Sequence, residues 1–129
     1  MILVDTSVWI DFFRGKLTPQ VEKLEMEISG RTDICLCPLI QMEILQGIRN
    51  DQQFEAIKSK LNDFINLEMN GETYLMSAMI YRKLRKKGLT IRKSIDCLIA
   101  SVAIQNKVRL LHSDRDFIQL AKHTDLEVI

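Results

Sequence analysis

Four carboxylates stand where a core-building sequence has little use for them. Asp5 directly follows the apolar run Ile2-Leu3-Val4. Glu43 interrupts the largely apolar segment Pro38-Leu39-Ile40-Gln41-Met42-Glu43-Ile44-Leu45. Asp96 opens the most apolar stretch of the chain, between Ile95 and Cys97. Asp114 lies just past Arg109-Leu110-Leu111-His112, and Asp116 is two residues further on. Brought into one crevice, such groups repel: at ~4 Å and an effective dielectric near 20, each pair costs about 4 kcal/mol. Two resolutions exist, which are to hold protons on raised pKa values or to bind cations. Oxygen ligands without His or Cys suit hard ions, Mg²⁺ or Mn²⁺, rather than zinc. The two histidines, His112 and His123, are too few and too far apart for a zinc site. A multi-acid Mg²⁺ site commonly serves phosphoryl chemistry.

Each acid also has a plainer reading. Asp5 can cap a helix beginning at Thr6. Glu43 can reach solvent from a helix edge. Asp96 can sit in a first helical turn, favoured by the dipole. Asp114 can cap the last helix, with Asp116 in its first turn. What weighs against all four together is that they flank the most apolar parts of the chain.

The elements that must position these acids alternate. Ile2 to Val4 reads as a strand buried on both faces, followed by a short helix, Val8 to Phe13. Thr18-Pro19 reads as N-cap and first helical position, with Val21, Leu24 and Ile28 on one face before Gly30. Asp33 to Leu36 reads as a second strand, and a helix runs from Pro38 to Gly47. Phe54, Ile57, Leu61, Phe64 and Ile65 repeat at three and four, predicting one amphipathic helix. Glu72 to Lys87 is a longer helix stopped at Gly88. Ile95 to Gln105, capped by Ser94, is apolar nearly all round and so predicts a central, buried helix. Arg109 to His112 is a strand, Asp114 to Lys122 a helix and Leu126 to Ile129 a final strand. This alternation predicts an α/β fold, with a mostly parallel central sheet of four to five strands between helical layers. In such sheets ligands sit beyond the carboxyl ends of the strands, where Asp5 and Asp114 both fall.

Composition sets the outer limits. At 129 residues the chain predicts one domain over 1–129, with no linker or repeat. A share of 47% hydrophobic and 27% charged residues excludes a disordered or low-complexity chain. Eighteen bases against seventeen acids leave +1, so a polyanionic partner must be met by a local patch. Cys35, Cys37 and Cys97 form no C-x-x-C framework and read as small core residues of a reducing compartment. The N-terminus has no basic region before its short apolar run, which argues against a signal peptide, and no apolar stretch nears the ~20 residues that span a bilayer. A soluble, cytoplasmic protein is expected.

The ordered motifs Ile2-Leu3-Val4-Asp5-Thr6-Ser7, Glu43 before Gly47, Asp96-Cys97-Leu98-Ile99-Ala100 and Leu111-His112-Ser113-Asp114-Arg115-Asp116-Phe117 resemble those of the PIN-domain nucleases. The chain looks in particular like the small VapC-type toxins of toxin–antitoxin pairs, and the resemblance covers its whole length. It implies a PIN-like (Rossmann-like) three-layer α/β/α fold. It implies a metal-dependent endoribonuclease that inhibits translation and growth, holding one or two Mg²⁺ ions (or Mn²⁺). By the same resemblance Asp5, Glu43, Asp96 and Asp114 are the catalytic, metal-binding acids. Asp116 matches a position that often adds a further acid, and Thr6, Ser7 and Ser113 match hydroxyl positions lining the site. The implied partners are RNA, a small DNA-binding VapB-like antitoxin and a second copy in a homodimer. One departure is Cys37-Pro38, where many relatives carry Ser or Thr. The alternative is a PIN scaffold that works as an RNA-binding or protein adaptor. Such scaffolds typically lose acids, and this chain keeps all four. A haloacid-dehalogenase-type phosphatase needs a second Asp where Ser7 stands.

Between Thr73 and Ile95 there is no acid but seven bases. Most such runs are a solvated helix face. Arg92 and Lys93, close before Asp96, are the better candidates for contacting an RNA backbone. Arg115 either balances charge or touches substrate. Trp9 and Phe13, four apart, read as core or interface residues rather than base-stacking platforms. With Phe12 they are expected to line a groove for a partner beside the acids.

Overall fold

The computed structural model describes residues 1–129. Four short parallel strands, β1 (Ile2–Val4), β2 (Ile34–Leu36), β3 (Ile65–Asn66) and β4 (Arg109–Leu111), form one sheet in the order β3-β2-β1-β4. β1 is central. Its residues face Ile34 and Cys35 on one side, and Arg109, Leu110 and Leu111 on the other. Ile2, Leu3 and Val4 are wholly buried, as expected of a strand covered on both faces. Because every pairing is parallel, all strands end at the same edge. The chain leaves β1 towards β2 on one side, while β4 returns on the other. The order therefore reverses between β1 and β4, the usual place for a ligand crevice.

Seven helices flank the sheet in two packed groups. One comprises α1 (Thr6–Phe13), α2 (Pro19–Ser29), α3 (Pro38–Gln46) and α4 (Asp51–Leu61). The other comprises α5 (Gly71–Lys86), α6 (Ser94–Asn106) and α7 (Asp116–His123). The expected three-layer α/β/α arrangement is thus present. α2 begins as its sequence indicates: the Thr18 hydroxyl accepts from the Val21 N–H at 3.0 Å, with Pro19 at the first position. α5 opens on a reciprocal cap between Asn70 and Thr73. The apolar girth of α6 is explained by burial of Cys97, Ile99, Ala100, Val102 and Ala103. Its one buried hydroxyl, on Ser101, donates to the Cys97 carbonyl at 2.7 Å. The three cysteines are free and buried. No helix is long and apolar enough to cross a membrane.

Beyond shifts of one or two residues at other ends, such as α1 starting at Thr6 rather than Val8, three differences from the periodicity reading matter. The helix expected to run through Phe64 and Ile65 ends at Leu61, and Ile65–Asn66 forms β3 against Cys35 and Leu36. Phe64 keeps the helical spacing because its ring packs on Trp9, with centroids 4.9 Å apart, and a two-residue strand is too short to show an alternation of its own. The expected last strand, Leu126 to Ile129, makes a single parallel bridge between Val128 and Leu110. α7 starts at Asp116 rather than Asp114, because Asp114 is turned to bond the helix entrance.

Candidate active site

Each acid reaches the site from a different element. Asp5 is the residue after β1 and the N-cap of α1 by backbone position, yet its side chain makes no capping bond. Instead its Oδ2 accepts from the Ser7 hydroxyl at 2.8 Å, and the Ser7 and Ser113 hydroxyls lie 2.8 Å apart. That pair ties the exit of β1 to the exit of β4. Glu43, half-buried on α3, accepts from the Thr6 hydroxyl at 2.7 Å. A helical carboxylate is thereby brought to the first turn of α1. Cys37 precedes α3 as an N-cap that makes no side-chain bond, so no hydroxyl contact comes from this turn.

The other side of the site is tighter. Asp96 in the first turn of α6, Asp114 after β4 and Asp116 at the start of α7 place one ligand oxygen each within 4.8 Å of one another. Asp114 Oδ1 accepts from the Asp116 backbone N–H at 2.9 Å. The capping reading of Asp114 is thus half right, since it satisfies an orphan donor of α7 while joining the acids. Asp116, expected only as an optional addition, is a full member of the trio. Its place two residues after Asp114, in a first turn that aims side chains back towards the strand end, is the signal that marks it.

Arg92 is exposed but not free. Its Nη2 donates to Asp114 Oδ1 at 3.0 Å and its Nε to Asp116 Oδ2 at 3.2 Å. Lys93 is exposed and makes no ion pair, and neither does Arg115. Within the trio, Asp114 and Asp116 are thus paired to one guanidinium, while Asp96 has no ion pair. Sequence spacing carries no hint of this contact, which spans 22 and 24 residues.

The electrostatics follow. Asp96 is 5% exposed. Burial, with the charges of Asp5 and Asp114 beside it, pushes its carboxyl up to about 7. Burial also raises Asp5, against the hydroxyl bond from Ser7, which favours its charged form. Asp96 Oδ2 is buried and has no hydrogen-bond partner, a costly state for a carboxylate oxygen. His112, at the end of β4, is also buried, with its Nδ1 unpartnered and its ring 5.3 Å from Phe117; burial holds it below the ordinary histidine value.

A carboxylate trio with a buried, unpartnered oxygen is a donor set that suits a hard cation. The oxygens are close enough to share one ion, and no nitrogen or sulfur ligand competes. The residues present fit a divalent metal of the Mg²⁺ type.

Residues 2–123 match the model of the PIN domain family. The chain belongs to the PIN-domain family. Ribonuclease VapC11 of Mycobacterium tuberculosis is 37% identical over 98% of this chain and 96% of its own length. Ribonuclease VapC1 of Methanocaldococcus jannaschii is 28% identical over 98% of this chain and 85% of its own. These relatives make this PIN domain a VapC-type member. Among solved structures, VapBC2 from Rickettsia felis, bound to a DNA fragment from its promoter, superposes with a TM-score of 0.79 at 19% identity. It covers 100% of this chain and 98% of that one.

The aromatic groove expected beside this site is not available as drawn. Trp9 is wholly buried, stacked 5.8 Å from Phe13 and 6.0 Å from Phe12 in an edge contact. Only Phe12 and Phe13 keep partial exposure, because Trp9 fills the space between α1 and the chain at Phe64.

Proposed function

We propose that this VapC-type PIN domain, spanning residues 1–129, is a Mg²⁺-dependent endoribonuclease and the toxin of a toxin–antitoxin pair. The observation that carries the reading is the gathering of Asp96, Asp114 and Asp116, with Asp96 Oδ2 buried and unpartnered. Asp96, Asp114 and Asp116 would hold the ion, with Asp5 and Glu43 completing the acidic row. A bound Mg²⁺, for which Mn²⁺ can substitute, supplies Lewis acidity towards the scissile phosphate and the attacking water. Ser7 and Thr6 orient Asp5 and Glu43 through their hydroxyls. Exposed Lys93 stands ready to meet a phosphate next to the acids. Hydrolysis joins the water oxygen to phosphorus and breaks the P–O3′ bond, with a proton passing to the leaving oxygen. The products carry 5′-phosphate and 3′-hydroxyl ends. A narrow acidic crevice favours single-stranded or loop RNA, whose backbone can descend into it.

In a living cell this activity needs restraint. The relatives titled VapBC are toxin–antitoxin assemblies, one of them solved on promoter DNA. For this chain the reading is a small VapB-like, DNA-binding antitoxin, action in the cytoplasm and a homodimer. The dimer is supported by the outer face of α5, where Leu75 and Met79, one turn apart, are exposed above a groove of about 550 Å³.

The test is cleavage of RNA by purified protein, with ends mapped, in Mg²⁺ and in excess EDTA. Cleavage in Mg²⁺ with 5′-phosphate ends and none in EDTA is expected. Full activity in EDTA sinks the metal mechanism, and RNA binding without cleavage under both conditions returns the protein to an adaptor.

A further inference from the structure

We infer that Arg92 is a positioning residue of the acidic trio: its guanidinium bridges Asp114 and Asp116, and so presents their remaining oxygens, together with Asp96, to the divalent cation. The inference rests on the metal reading above and assigns this side chain a different task from a phosphate contact.

The geometry is specific. Nη2 takes Oδ1 of Asp114 and Nε takes Oδ2 of Asp116, one oxygen from each carboxylate. Asp114 Oδ1 is held a second time, by the Asp116 N–H. The other oxygen of each group makes no hydrogen bond, and Asp96 Oδ2 is likewise unpartnered. Two carboxylates at this spacing repel, and the guanidinium between them offsets that repulsion. The bridge therefore acts before any metal arrives.

The backbone carrying Arg92 is built for this. Ile91 is buried in the core and α6 starts at Ser94, which fixes the Cα of Arg92 from both sides. Its side chain is nonetheless 59% exposed. Ion pairs this exposed add little to folding, so the contact has little value as a structural staple. Its consequence lies in where two carboxylates point. Lysine cannot replace it, because an ammonium on a flexible stem keeps the charge but lacks the rigid fork that spans two acceptors.

Calorimetric titration of Mn²⁺ into the metal-stripped full-length protein, without RNA, tests this in wild type, R92K and R92Q. Loss of such outer-sphere partners typically weakens metal affinity by about 10–100-fold, and that loss is expected in both variants. The thermal midpoint without metal is expected to fall by no more than about 4 °C. At saturating Mn²⁺, R92K is expected to recover its kcat with KM for RNA unchanged. Wild-type affinity in R92K, tighter Mn²⁺ binding in R92Q, or a raised KM for RNA that saturating metal leaves in place would each overturn the assignment. No Mn²⁺ binding by wild type at all would remove the metal reading itself, and Arg92's role with it. If R92K unfolds, R92Q supplies the same comparison, and collapse of both shows that Arg92 is a staple and refutes the inference.

Discussion

The two halves of the acidic row are held by different means. On the side of α1 and α3, each carboxylate accepts from a hydroxyl: Ser7, which also meets Ser113, for Asp5 and Thr6 for Glu43. A neutral donor steadies the ionised form but leaves its charge in place. On the side of α6 and α7, Asp114 and Asp116 share one guanidinium, and the third carboxylate, Asp96, has an Oδ2 with no partner. In the first half both carboxylates keep a hydroxyl donor, although burial still raises Asp5. The second is under-compensated, and it is there that the oxygens gather within reach of a single ion. The difference separates orientation, which hydroxyls provide, from charge balance, which is left for a cation.

Breaking the under-compensated half is expected to have the largest effect. Asp96→Asn should lower RNA cleavage by about 10²–10³-fold, the range seen when one preorganised electrostatic group is lost. The same substitution should stabilise the metal-free protein. The sign follows from the raised Asp96 carboxyl, about 7 against an ordinary 3.8. Between these values the unfolded chain releases its proton while the folded one keeps it. Stability from this group is full below pH 3.8 and is lost as pH rises to about 7. Urea unfolding in EDTA should show wild type and Asp96→Asn closest near pH 4 and diverging towards pH 7.5 in favour of the variant. Parallel pH profiles would contradict this account of the buried carboxyl.

Thr6→Val sharpens the other half. It removes one charge-assisted hydrogen bond while nearly keeping volume, a change of about 1.5–3 kcal/mol. Cleavage should fall by about tenfold if Glu43 must be held in place, with Mn²⁺ affinity changing much less than in Asp96→Asn. An equal loss of Mn²⁺ affinity in both variants would erase the distinction between the halves. Lys93→Ala should act least. Removal of one phosphate contact lowers the salt slope of RNA binding by about one, with metal affinity unchanged. A slope identical to wild type would return Lys93 to the solvated face.

Much of this architecture is legible in the chain itself. Ile2-Leu3-Val4 announces a doubly covered strand, and the unbroken apolar girth from Ile95 onward announces a buried helix, because both depend on local composition alone. Asp5, Glu43, Asp96 and Asp114 were visible as carboxylates lodged in apolar surroundings, a conflict that needs no coordinates to see. The end of α4 was not. Phe64 satisfies a helical spacing for a tertiary reason, its contact with Trp9. Trp9 and Phe13 have the same spacing whether they face a groove or a core, and only the packing buries one and half-exposes the other.

By itself, then, the sequence determined the alternation of elements and the identity of the acids, since hydrophobic period and residue chemistry are local properties. Tertiary structure alone decided which acids meet. The parallel register that sets Val4 beside Leu111 brings Ser7 to Ser113, and the packing of α6 and α7 gathers Asp96, Asp114 and Asp116. It also turned Arg92 from an outward base into the one cation bonded to the acids. Such pairings join residues 22 to 106 positions apart. Coulomb attraction and hydrogen bonding depend on distance in space, which spacing along the chain does not encode.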